Sequence, residues 1–334
     1  MLFPDDLDFV GNDLNRPECV LATRSGHLYS ADWRGGVVIT FPDGQSKLLK
    51  HRTSHPWLKP NGIALMPEGN FLVTHLGDET GGVYCLDGNG ILTPFLEEVE
   101  NTPLPPTNFV CRDFQGRTWI TVSTRLIPRH SAARPDHGDG FIVLKDEKGA
   151  RIVADGLGFT NECVLDRTGS WLYVNETFRK RLSRFRIGKD GMLGNRETIA
   201  EFGVAEFPDG VIFDEEDHLW VTSIISNRLY RIAPDGSKVL WLEDCDEIGM
   251  EGVEAKYQLG QLEASDFKKV KPRILRNISS MAFGGKDLQT AWLGCLQGTS
   301  LATFRAPVRG LKPIHWDVLP DWLERLKSED DKIG

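Results

Sequence analysis

Six oxygen-bearing side chains recur at matching places along the chain: Glu18, Asn61, Asn108, Asn161, Asp209 and Ser279. Each heads a short apolar run, as in Glu18-Cys19-Val20-Leu21, Asn61-Gly62-Ile63-Ala64-Leu65 and Asp209-Gly210-Val211-Ile212-Phe213. Brought together, they would form a ring of oxygen donors without nitrogen or sulfur, which suits Ca2+ first and then Mg2+ or Mn2+. Glu18 and Asp209 would balance a double positive charge, and Asn108 and Asn161 would each offer an amide oxygen. Taken singly, Asn61-Gly62 and Asp209-Gly210 read equally well as turn signals. Pro17-Glu18-Cys19-Val20 has no such turn logic and sets a charge directly before an apolar run.

The elements that must position these heads follow from the repeat. After each head comes an apolar run, a polar turn and a second run rich in aromatic and branched residues, such as Phe71-Leu72-Val73-Thr74-His75 or His218-Leu219-Trp220-Val221-Thr222. This is strand-and-hairpin grammar. Third and fourth strands are split by Asp43-Gly44, Asp87-Gly88, Lys148-Gly149, Asp190-Gly191 and Asp235-Gly236, dipeptides that supply the positive φ of tight hairpins. Four strands every ~40–50 residues is the period of a propeller blade. The sequence therefore predicts an all-β chain, a single six-bladed β-propeller over 1–334, with blade heads near 18, 61, 108, 161, 209 and 279. Each blade has four antiparallel strands, with a metal in the central channel. The run Leu7-Asp8-Phe9-Val10 is expected to close the ring by completing the last blade beside Ala302-Thr303-Phe304 and Ile314-His315-Trp316.

Insertions at 123–140 and 243–277 break the period. The first would leave from the channel mouth and cover it. The middle of the second, Val253 to Ala264, has weak helical character. If the first strand of each blade lines the channel, the ends of the second strands return to the same mouth. That brings Trp33, Arg34, His75, Thr124, Arg125, Asn175, Glu176 and Ser223 to the rim. Trp33, Arg34, Asn175 and Glu176 are candidate substrate contacts, and His75 is either another or a structural histidine.

The composition excludes other classes. A formal charge of −9 without a basic cluster argues against nucleic acid. Nothing resembles a leader or a membrane span, so a cytoplasmic protein that does not engage membranes is expected, a monomer or weak homo-oligomer. The six cysteines lack metal-ligand spacing and are expected reduced.

Asn61-Gly62-Ile63-Ala64-Leu65, Phe207-Pro208-Asp209-Gly210-Val211-Ile212-Phe213-Asp214 and Ser279-Ser280-Met281-Ala282-Phe283-Gly284-Gly285 resemble the regucalcin/gluconolactonase (SMP-30, LRE-like) family over essentially the whole chain. The resemblance implies one catalytic divalent metal in the channel, usually calcium and sometimes zinc, manganese or magnesium, and hydrolysis of a small-molecule lactone or ester. It implies Glu18, Asn161 and Asp209 as metal ligands, with Asn108 touching metal or substrate. On this footing Asp209 is the expected base toward water, and Asn108 the expected amide donor to the oxyanion. Sugar lactonases of the family carry an arginine two residues before the third-blade asparagine; Pro106 stands there instead. Related folds leave two alternatives, an organophosphate hydrolase of the diisopropyl fluorophosphatase type and a non-catalytic calcium-binding propeller.

Overall fold

The computed structural model describes residues 1–52 and 58–328. It contains six sheets of four antiparallel strands, plus one two-stranded ribbon, Glu98–Val99 with Thr102–Pro103. Five blades are built from consecutive strands. Their innermost strands are Val20–Ala22, Pro60–Leu65, Thr107–Arg112, Thr160–Leu165 and Glu206–Phe213. The sixth begins at Ile278–Gly284 and takes its outer strand from the other end of the chain. Asp8–Val10 pairs with Leu301–Arg305 in the register Asp8 to Thr303 and Val10 to Leu301. No edge is left to close, because the N-terminal strand locks first blade to last.

The predicted closure is thus found, with one correction. Ile314-His315-Trp316 forms no strand of that blade. The segment around it crosses the far end of the channel instead. Leu311, Pro313 and His315 line a cavity of about 180 Å3 there, together with Cys19, Ile63, Cys111, Glu162 and Cys163. Beyond it Trp322 packs against Phe71 and donates from Nε1 to the Gly69 carbonyl at 3.1 Å.

Asn61, Asn108, Asn161, Asp209 and Ser279 all lie within innermost strands rather than in turns. The register slips at or beside each of these heads: between Pro60 and Ile63, Thr107 and Phe109, Thr160 and Cys163, Pro208 and Val211, and Ile278 and Met281. A bulge frees a residue from the ladder and re-aims its side chain. Glu18 precedes the first paired residue of its strand, Val20. The glycines after two heads serve close packing. A Cβ on Gly62 would come within 2.7 Å of Phe109 Cα, and one on Gly210 within 2.4 Å of the Ser279 carbonyl oxygen. Asn-Gly and Asp-Gly here mark neighbouring inner strands in near contact.

Hydroxyls then tie blade to blade. Thr74 donates to the Asn108 carbonyl, Ser123 to that of Thr160, Thr177 to that of Pro208, Thr222 to that of Ser279, and Ser279 to that of Glu18, at 2.8–2.9 Å. Four of these bonds fix the backbone of the next inner strand beside its bulge, and the fifth fixes Glu18 ahead of its strand. Between blades the core is apolar and aromatic, with Tyr29, Phe71, Trp119, Phe207, Trp220 and Phe283 fully buried.

Both insertions are present. Residues 123–140 carry only a short 3-10 turn, Arg129–Ala132. In the second, the helix runs Glu247–Gln258, earlier than Val253 to Ala264, because Asp246 accepts from the Gly249 amide and caps it. Gly260, at φ +65, ends the helical path. In the second blade Gly90, at φ +79, takes the turn conformation expected of Asp87-Gly88. Gly88 instead leaves room for the Trp322 ring. No helix among the described residues is long and apolar enough to cross a membrane.

His315 supplies a pH test of the closed channel end. Burial pushes its imidazole down from 6.5 to about 4. The unfolded chain therefore binds a proton there that the folded chain refuses, so stability falls as pH drops from about 6.5 toward about 4. The contribution is at most about 3 kcal/mol. His315→Asn is expected to flatten this acid limb in chemical denaturation; an unaltered slope contradicts the buried neutral imidazole.

Candidate active site

At the mouth of the channel lies a cavity of about 1130 Å3, and Glu18, Asn108, Asn161 and Asp209 all line it. All four are buried. Asn61 and Ser279 do not line the cavity but serve it. Asn61 donates from Nδ2 to Glu18 Oε1 at 2.8 Å and to the Asn108 carbonyl at 2.9 Å. Ser279 holds the Glu18 backbone.

Each facing side chain is oriented by a named partner. Asn161 donates from Nδ2 to Thr177 Oγ1 at 3.0 Å, leaving its Oδ1 as a buried acceptor with no donor among the described residues. Asn108 donates from Nδ2 to Ser123 Oγ at 3.0 Å, and its Oδ1 lies 3.4 Å from Asn61 Nδ2. Glu18 accepts from Asn61 on one oxygen and from the Arg16 guanidinium on the other. Arg16 also donates to Asn61 Oδ1 at 2.8 Å and stacks over Trp33, 4.4 Å from the ring centroid.

The electrostatics are those of crowded acids. Burial, with the negative charges of Glu18 and Glu162, holds the Asp209 carboxyl well above its usual range, against the opposing fields of Arg16 and Arg129. Deeper in the channel, burial pushes Glu162 up to about 8, although Ser280 and the Val211 amide favour its ionised form. Burial lowers the Arg129 guanidinium to about 10.

These residues fit a divalent cation. An unmatched amide oxygen on Asn161 and the carboxylates of Glu18 and Asp209 form a hard-oxygen set. Both Glu18 oxygens already accept a hydrogen bond, yet each carboxylate oxygen retains a second lone pair. No group of three or more His, Cys, Asp or Glu side chains that could hold a metal ion occurs among the described residues.

The rim residues divide. Trp33 and Arg34 line the mouth. Arg34 is engaged with Asp32 at 2.8 Å and Asp13 at 3.1 Å. His75 does not line the mouth; its Nδ1 accepts from the Lys59 amide at 3.1 Å and its ring meets Tyr84 edge-on. Asn175 is buried and bridges blades, donating to the Asp209 and Gly210 carbonyls at 3.0 and 3.1 Å. Glu176 is buried and paired with Arg181 at 2.7 Å, Ser183 and the Gly158 amide. These three residues therefore brace the rim and do not line the cavity, and Thr177 is the neighbour that reaches it. Asn108, expected as a free amide donor, spends one N–H on Ser123.

Sequence reasoning missed Arg16, Arg129, Phe159, Phe178 and Phe267, all of which line the mouth. Both insertions contribute to it, the first through Pro128, Arg129, His130 and Ala133, the second through Leu262 to Lys268. Part of 123–140 thus lies at the mouth. The legible signal was the departure of 123–140 from the rim, but nothing in its composition singles out Arg129.

A closed six-bladed propeller with an oxygen-lined channel mouth defines a recognisable architectural class. Residues 16–242 match the SMP-30/gluconolactonase/LRE-like region, and the chain belongs to that family. It is similar to a 6-deoxy-6-sulfogluconolactonase of Pseudomonas putida, 26% identical over 238 residues, covering 69% of this chain and 67% of the relative. A lactonase drp35 of Staphylococcus saprophyticus is 26% identical over 236 residues, covering 65% and 66% of the two chains. These alignments span about two thirds of the relatives' length. Among solved structures, a gluconolactonase from Xanthomonas campestris superposes with a TM-score of 0.66 at 18% identity, over 90% of this chain and 89% of that one. A calcium-binding regucalcin from Agrobacterium tumefaciens gives 0.66 at 16%, over 93% and 98%. These structures share the fold.

Thr177→Val tests how Asn161 is held. It removes an acceptor from Asn161 and a donor to Pro208 while keeping volume. Buried groups left unmatched cost about 1–3 kcal/mol, so thermal unfolding is expected several degrees lower. An unchanged midpoint means the hydroxyl carries no such burden.

Proposed function

We propose that this chain is a metal-dependent hydrolase that opens a lactone. Family membership and relatives named as lactonases support the reaction class. The observation that carries the metal-dependent reading is the unmatched Asn161 Oδ1, buried in one cavity with the carboxylates of Glu18 and Asp209. Ca2+ suits this donor set best, with Mg2+, Mn2+ or Zn2+ as substitutes. Glu18, Asn161 and Asp209 would hold the ion, with Asn108 beside them. When bound, such an ion supplies polarisation of the ester carbonyl and stabilisation of the charge that develops there.

The chain's own residues do the rest. Asp209 would accept the proton of the attacking water at a carboxylate oxygen and return it to the ring oxygen as the ring C–O bond breaks, giving the hydroxy acid; a cation beside it would offset the burial that otherwise keeps it protonated. Glu18, fixed by Arg16 and Asn61, stays oriented through the cycle. Ser123 sets the plane of the Asn108 amide, whose remaining N–H is available to the carbonyl side of the substrate. The insertions and Phe159, Phe178 and Phe267 restrict water around the ring that opens.

Asp209→Asn tests this assignment. It keeps an oxygen in place but removes the base, so lactone hydrolysis followed with a pH indicator is expected to fall at least ~100-fold. The circular dichroism spectrum should match that of the parent chain. A folded variant with undiminished turnover would mean that Asp209 is not the base. Turnover of fluorophosphates without lactones by the parent chain would point to an organophosphate hydrolase.

A further inference from the structure

The cations around the mouth are not equivalent. Arg16 is committed to Glu18 and Asn61, Arg34 to Asp32 and Asp13, and Lys59 to Asp78 at 2.6 Å. Lys268 also lines the mouth but is exposed to solvent, whereas Arg129 is half-buried and is not committed in this way. Its Nη2 donates to Ser123 Oγ at 2.9 Å, and its guanidinium lies over the Phe159 ring at 4.9 Å from the centroid. Its Nε is sealed from solvent and has no acceptor among the described residues. No carboxylate among the described residues forms an ion pair with it; Glu18 and Asp209 act on it only through space.

A guanidinium that lines the cavity without a paired carboxylate keeps donors to offer an oxyanion there. Arginine's planar fork matches an oxyanion better than a lone hydroxyl. The anchor is rigid, because Ser123, which receives Arg129, also receives Asn108 and donates to the Thr160 carbonyl. The same hydroxyl thus spans the oxygen ring and the insertion. The chain carries a formal charge of −9, so long-range attraction does not draw anions to it, and a local cation must.

We propose that Arg129 binds an oxyanion substituent of the substrate, a carboxylate in the simplest case, so that the preferred substrate is an acidic lactone. This rests on the lactone reading and adds a specificity-determining residue to it. Glu18, Asn161 and Asp209 face the carbonyl that is attacked, while Arg129, entering from the insertion, holds the second charged group.

The test compares the parent chain, Arg129→Gln and Arg129→Lys, all supplied with Ca2+. The substrates are an aldonolactone and the matching aldaric monolactone, which differs by one carboxylate. The parent chain is expected to favour the acidic lactone in kcat/KM. Arg129→Gln should cut that preference about tenfold or more, mainly through KM, and Arg129→Lys should restore part of it. No preference in the parent chain, or a preference that survives in Arg129→Gln, overturns the assignment. Titration calorimetry with the ring-opened dicarboxylate gives a readout independent of turnover. Binding to the parent chain at least about tenfold tighter than to Arg129→Gln supports it, and equal binding overturns it. If neither lactone is opened while the dicarboxylate still binds through Arg129, the lactone reading falls and the oxyanion site stands.

Discussion

Two carboxylates, Glu18 and Asp209, are buried in one channel mouth with a third, Glu162, beneath them. Burying charge away from water is expensive unless something of opposite sign is close. The structure answers this with Arg16 directly on Glu18 and with Asn61 across from it. Asp209 has no such ion pair among the described residues, and burial with the negative charges of Glu18 and Glu162 holds its carboxyl well above the ordinary range. Much of the surrounding architecture serves to keep these acids at fixed positions.

The bulges are central to that task. An unbroken ladder alternates side chains across the sheet face, which does not by itself bring Asn108, Asn161 and Asp209 to one mouth. Slipping the register at or beside each head, and tying each bulged backbone to its neighbour through a Thr or Ser hydroxyl, does so. Gly62 and Gly210 follow from the same geometry, because the inner strands approach too closely there for a Cβ.

Much of this was legible in the sequence. Six apolar runs with matching heads and recurrent turn glycines required a six-bladed ring, and Leu7 to Val10 was recognisable as the closing strand. What escaped the sequence has physical reasons. A bulge has no composition of its own, so Asn61-Gly62 reads as a turn when it is a strand in close contact. Strand alternation puts Asn175 and Glu176 at the rim but does not say that one will bridge blades and the other pair with Arg181. Arg129 lies in an insertion without period, and only the fold shows it reaching Ser123. His315 was placed in the last blade because it sits in a short run with Ile314 and Trp316; in the fold it faces the channel's far end.

Removing Asn161 tests the central claim most directly, since its amide oxygen is buried without a donor among the described residues and lies in the proposed cation site. Calcium titration calorimetry should find one ion per parent chain, and at least about tenfold weaker binding in Asn161→Ala. One ion bound with undiminished affinity by a folded Asn161→Ala chain would contradict the convergence of the heads on a common cation.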